Sequence, residues 1–194
     1  MSATSPSIAR LFNFIGGGAG PWLVDSVHCV AGEPMSPTAS RLSIVAGPVA
    51  HPPLGASWLL RGMTSNERYV VRAEKVALVS RQEGLGREAS TRAALIPIRK
   101  SATWWALPQD ERREVFEAQS RHIAIGLKYL PAVARRLHHC RDLGPDEPFD
   151  FLTWFEYAPS DSGPFEELVQ ALRASPEWDY VDREVDIRLT RAEG

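Results

Sequence analysis

A chain of 194 residues that is 44% hydrophobic can bury a substantial core, which excludes a peptide hormone or a disordered tail. Its net charge of −2, with 24% charged residues and no dense basic run, argues against nucleic acid as a partner. There is no apolar run of the roughly 20 residues that span a bilayer, no charged n-region leading an apolar one, and no CxxC spacing between Cys29 and Cys140. A cytoplasmic protein with free thiols and no membrane partner is expected.

In chain order, residues 11–15, 22–30, 41–46, 57–62, 69–80 and 91–98 read as short strands. Between them "GGGAGP" and "AGPVAHPPLGA" mark turns, because Gly accepts positive φ and Pro fixes φ without donating a hydrogen bond. "GEPMSPTAS" reads as a loop and "RQEGLGREAS" as a mobile, polar one.

The second half changes period. Pro108 followed by Asp110 and Glu111 places a helix start, since the N-terminal dipole favours negative charge. Ile123, Leu127, Leu130, Ala134 and Leu137 fall on one face of an α-helix. Aromatic and β-branched residues over 149–157 predict a strand. Phe165, Leu168, Val169 and Leu172 then share a helical face, with Ser162 as its cap. Finally Val181, Val185, Ile187 and Leu189 alternate with Asp182, Glu184, Asp186 and Arg188, the pattern of a half-buried strand. Strands gathered early and helices late suggest an α+β architecture, and two ferredoxin-like halves fit, the first short of helix.

Most motifs carry little chemistry. "IGGGAGP" has Pro21 where a dinucleotide loop needs Gly, and no Lys-Ser/Thr follows. In "HHC", adjacent side chains on a helix diverge by about 100° and cannot converge on one metal. Cys140 has no nucleophile context and reads as a small hydrophobe. His122 and Arg135 are more informative. On a continuous helix they would stand roughly 20 Å apart along the axis and about 140° around it, so they could not share a small ligand. Pro131, with Gly126 before it, breaks the run, which predicts two helices meeting near residues 129–131.

The stretches "KSATWWALPQDERREVFEAQSRHIAIGLKYLPAVARRLHHCRDLG", "FDFLTWFEYAP" and "LRASPEWDYVDREVDIRL" resemble the chlorite dismutase family of haem proteins. The resemblance is to its short, dimeric branch with a truncated N-terminal half, and it is close over residues 65–190. It implies an α+β subunit of the α/β-barrel type made of two ferredoxin-like modules, a truncated one over 1–95 and a haem-binding one over 96–194. By the same resemblance His122 is the proximal ligand of a haem b iron, and Arg135 lies on the opposite face, with a broken helix wrapping the porphyrin edge. Glu177 accepts a hydrogen bond from the proximal imidazole, which fixes the tautomer and enriches the ligand in electrons. Tyr69, Lys100 and Trp104 match positions lining the propionate side, whereas Trp105 reads as packing.

The activity so implied is decomposition of chlorite to chloride and dioxygen by a homodimer. Arg135 keeps its charge and offers several fixed donors, so it attracts the anion and holds transient hypochlorite near the iron. Relatives on this fold decarboxylate coproporphyrin haem, and others bind haem without a settled role. Arg135 stands where the decarboxylases of the Gram-positive type carry Gln or an apolar residue.

Overall fold

Alternating apolar residues produce four strands before residue 64, and the computed structural model, which describes residues 10–64, 71–81, 84–144 and 146–193, joins them to four later strands in a closed barrel. One half comprises β1 (Leu11–Gly17), β2 (Trp22–Ala31), β3 (Arg41–Ala46) and β4 (Ala56–Met63). The other comprises β5 (Arg92–Lys100), β6 (Ala134–His139), β7 (Phe151–Tyr157) and β8 (Val181–Arg191). The order around the barrel is β1-β3-β2-β8-β5-β7-β6-β4, and neighbours run antiparallel. Each half thus lays its own strands in one relative order: fourth, first, third, second. The seams differ, for β2 pairs with β8 from Trp22↔Arg191 to Ala31↔Glu184, whereas β4 meets β6 at the single pair Met63↔His139.

Two apolar layers follow from the pleat. Phe14, Trp22, Leu42, Leu60, Leu95 and Trp154 are among the side chains filling the barrel interior, drawn from both halves. On the outer face of the second half, Ala94, Ile96, Ile98 and Phe155 pack beneath α5 (Ser162–Arg173), which contributes Phe165, Leu168, Val169 and Leu172. β5 and β7 are therefore buried on both faces.

Three expected elements are corrected. The strand expected over 69–80 is, where described, helix α1 (Arg72–Arg81). Its Ala, Glu, Lys and Leu favour a helix over the strand its valines suggested, and Glu74 caps it by accepting from the Val71 N–H at 2.8 Å. The second helix expected after Pro131 is strand β6, whose backbone bonds go to β7. Ser162 opens α5 rather than capping it, and its hydroxyl donates to the Pro159 carbonyl at 2.9 Å.

The helices preceding β6 are α2 (Ala102–Ala106), α3 (Gln109–Arg113), a π-helical turn (Glu114–Gln119) and α4 (His122–Lys128). α2 was missed in the sequence; Ser101 caps it by accepting from the Trp104 N–H at 3.2 Å. β8 also departs from the half-buried pattern, because Glu184 and Asp186 on its outer face are buried under α5. The loop read as mobile is tied down where it is described. The Gly86 N–H donates to Glu156 at 2.6 Å, and Arg87 donates to the Pro131 and Ala132 carbonyls at 3.1 and 2.8 Å. Among the described residues no helix is long and apolar enough to cross a membrane.

Candidate functional site

α4 carries His122 at its first position, and the chain turns sharply to place it there. Arg121 adopts a left-handed φ of 53°, a conformation non-glycine residues rarely hold without a local reason. Glu117 supplies one, since its carboxylate accepts from the Ile123 N–H at 2.8 Å and caps the new helix. Phe116 stacks on the His122 ring, with centroids 4.4 Å apart.

Behind the imidazole lies a buried acid–base line. The His122 Nδ1–H donates to Oε2 of Glu177 at 2.7 Å. Because a carboxylate only accepts, this tautomer leaves the Nε2 lone pair on a ring whose side chain is 25% exposed. Glu177 sits in a 3₁₀ turn (Pro176–Tyr180), with its N–H held by the Ser120 hydroxyl at 2.8 Å. The Lys100 ammonium donates to Glu177 Oε1 at 2.9 Å and to its carbonyl at 3.1 Å. Burial alone would raise the Glu177 pKa, yet His122 and Lys100 outweigh it and draw it down to about 2. Burial lowers the Lys100 pKa, with Glu177 opposing.

Arg135 reaches the same region from the sheet. It pairs with Phe155 across β6 and β7, so it projects to the outer, helix-covered side. Its guanidinium rests on Gly126 of α4, where a Cβ would collide with it. Gly126 lies one turn beyond His122 on the same helical face. Burial lowers the Arg135 pKa to about 10, which leaves it charged at neutral pH.

The structure therefore brings His122, Glu177, Lys100 and Arg135 into one layer between α4 and the sheet. Trp104 is buried beside them, with Lys100 Nζ 4.7 Å from its ring. Lys100 faces Glu177 rather than an open wall, a pairing its spacing of 77 residues could not announce. Tyr69 lies outside the described residues. Trp105 stacks on Phe151 and donates to Asp150 at 3.1 Å. The expected broken helix is instead a helix, a turn and a strand, so His122 and Arg135 come from two different elements. His138 and His139 alternate on β6, with His138 buried against Phe12 and Phe14. Sequence reading passed over Gly126 as a filled gap and Phe116 as a ring partner. Their offsets of four and six residues from His122 were the available signal.

The barrel itself belongs to a class of mixed α/β proteins already known. A model of the family described as chlorite dismutase matches residues 54–192, and the chain belongs to that family. A dimeric chlorite dismutase of Nitrobacter winogradskyi is 60% identical, over 93% of this chain and 99% of its own, with a TM-score of 0.85. A chlorite dismutase from Ideonella dechloratans is 35% identical over 88 residues, which is 45% of this chain and 28% of that protein. A variant chlorite dismutase from Candidatus Nitrospira defluvii shares the fold at 19% identity, covering 96% of this chain and 93% of its own, with a TM-score of 0.66.

Proposed function

We propose that the protein is a haem b enzyme that converts chlorite to chloride and dioxygen, with His122 as the residue that would bind the iron and Arg135 as the anion-holding residue. The observation that carries this reading is the His122 Nδ1–Glu177 bond of 2.7 Å on a buried carboxylate, with an arginine from the sheet resting one turn along the same helix. A ligating imidazole characteristically donates its other N–H to such a carboxylate. Among the described residues no three His, Cys, Asp or Glu side chains converge on a metal site. One imidazole is nevertheless a sufficient donor set for an iron that arrives with four porphyrin nitrogens. The missing side chain at Gly126 leaves room in front of the helix that the mobile end of Arg135 fills.

Bound haem would supply the iron chemistry that breaks a Cl–O bond of chlorite and joins its two oxygens as O2. His122 would hold the iron through Nε2, while Glu177 keeps the imidazole in one tautomer and orientation. Lys100 keeps Glu177 ionised and directed, because its two hydrogen bonds fix Oε1 and the turn carbonyl. Arg135 stays cationic and offers planar donors, so it would draw in chlorite and hold chlorine oxyanions within the site. The overall change, ClO2− to Cl− and O2, balances without an added reductant. Tyr69, Lys100 and Trp104 are proposed to border the propionate side. Two ferredoxin-like modules are supported by the repeated strand order, with their division before β5 rather than at 95/96, which falls inside that strand. A homodimer is supported by the dimeric state of the Nitrobacter relative.

The test is an oxygen-electrode trace after chlorite is added to haem-loaded protein. One O2 per chlorite, far faster than free haem, is expected. No oxygen from protein with an intact haem spectrum would overturn the reading.

A further inference from the structure

Lys100 is caged as well as paired. Its ammonium lies 4.7 Å from the Trp104 ring centroid and 5.4 Å from that of Trp178. Trp178 is itself anchored: its indole N–H donates to Oε2 of Glu184 at 2.7 Å. Glu184 is fully buried on β8, and its other oxygen accepts from Arg173 Nε of α5 at 2.8 Å. Asp186 accepts from Arg173 and Arg188, at 2.8 Å each. An indole that donates to a carboxylate gains negative charge on its face, which strengthens attraction to a cation above it.

We propose that Trp178, fixed through its indole N–H by Glu184 and Arg173, is a positioning residue that holds the Lys100 ammonium on Glu177 and thereby sets how much carboxylate charge reaches His122. Lys100 and His122 divide one carboxylate, Oε1 to the ammonium and Oε2 to the imidazole. A four-carbon side chain without its aromatic wall samples other rotamers. As the ammonium leaves, charge concentrates on Oε2, the imidazole N–H is drawn more strongly, and Nε2 becomes a stronger donor. The inference deepens the haem reading and, for the second of its two measurements, rests on it.

The first measurement needs no haem: solvent exchange of the Lys100 ammonium protons, followed by nitrogen-15 NMR in ligand-free protein. Trp178→Phe keeps the ring and loses the anchor, as Glu184→Gln weakens it, and each should speed exchange at least ten-fold. Trp178→Leu should speed it further. Wild-type exchange rates in well-folded Trp178→Phe and Glu184→Gln proteins would overturn the proposal, whether or not Trp178→Leu folds. The second measurement is the reduction potential of the haem-loaded proteins. Trp178→Leu should move it to more negative values, in the same direction as Lys100→Met. A wild-type potential in a variant with accelerated exchange would overturn the link to His122. Accelerated exchange in a protein that takes up no haem would support the positioning and reject the haem reading.

Discussion

The two halves of the barrel use one strand order for different ends. β1 to β4 turn their inner side chains into the shared core, but their outer face holds exposed apolar residues such as Val45 of β3 and Leu23 of β2. β5 to β8 bury both faces, because helices inserted after β5 and β7 cover the outside. The inserted segments also bring the chemistry, since α2 to α4 follow β5 and carry His122, while the turn after α5 carries Glu177. A strand scaffold alone closes the barrel. A second layer over it creates a sheltered space where an acid, a base and two cations can be held against each other. Burial makes such charges strong partners because little water screens them.

The largest effect should come from erasing what distinguishes the second half. His122→Ala should lose haem binding entirely, read as absence of the Soret band after reconstitution, while the ligand-free protein stays folded. Arg135→Ala should keep haem and lose most chlorite turnover; full activity with undiminished resistance to bleaching would remove Arg135 from the mechanism. Val45→Ala on the bare face should leave haem uptake untouched and stability within about 0.5 kcal/mol.

Next in size is the covering layer itself. Phe165 is fully buried and stacks on Tyr157 with centroids 4.3 Å apart. Phe165→Ala should cost about 3–5 kcal/mol in denaturant unfolding. A cost no larger than that of Val45→Ala would mean the helical layer contributes nothing to the stability of the barrel.

How far the chain announces this contrast depends on the range of the forces involved. β3 was legible to the residue over 41–46, because alternation bounded by Gly and Pro is a local signal. β6 was not, since Leu127, Leu130, Ala134 and Leu137 mimic a helical face and only pairing with β7, a nonlocal event, decides for strand. In α1 two valines, which favour a strand, sit among better helix formers. For the site, periodicity located none of its members. His122, Arg135 and Glu177 were reached through family resemblance, and their juxtaposition spans 55 residues between His122 and Glu177. Lys100 behind Glu177, and Glu184 buried on a strand face expected to be wet, needed the helical layer to become visible.

The seam between the halves supplies an intermediate test. β4 and β6 share one backbone pair, so side chains close the barrel there, with His138 set edge-on to Phe12 and Phe14 and packed over Gly62. Its Nδ1 contacts the Leu152 carbonyl at 3.2 Å, while Nε2 is buried without a hydrogen bond to any of the described residues. Burial lowers its pKa from 6.5 to about 4. Between these values the unfolded chain binds the proton more readily, so stability is fully present above about pH 6.5 and falls as pH drops toward 4. The loss should be on the order of 2–3 kcal/mol. His138→Leu should flatten this part of the stability–pH curve; an unchanged slope would place the acid sensitivity elsewhere.

The smallest predicted loss of activity separates packing from function most cleanly. Gly126 lies inside α4, where alanine should favour the helix by about 1 kcal/mol. A Cβ there would run into the guanidinium of Arg135, the movable end of a long side chain, so the displaced group can shift without unfolding its surroundings. Gly126→Ala should therefore unfold at a slightly higher temperature while its chlorite kcat/KM falls about ten-fold, equivalent to about 1.4 kcal/mol. Stability and activity moving in opposite directions would mark Gly126 as a gap kept open for Arg135. If both fall together, the glycine serves the packing of α4 on the sheet, and the guanidinium is held by other contacts.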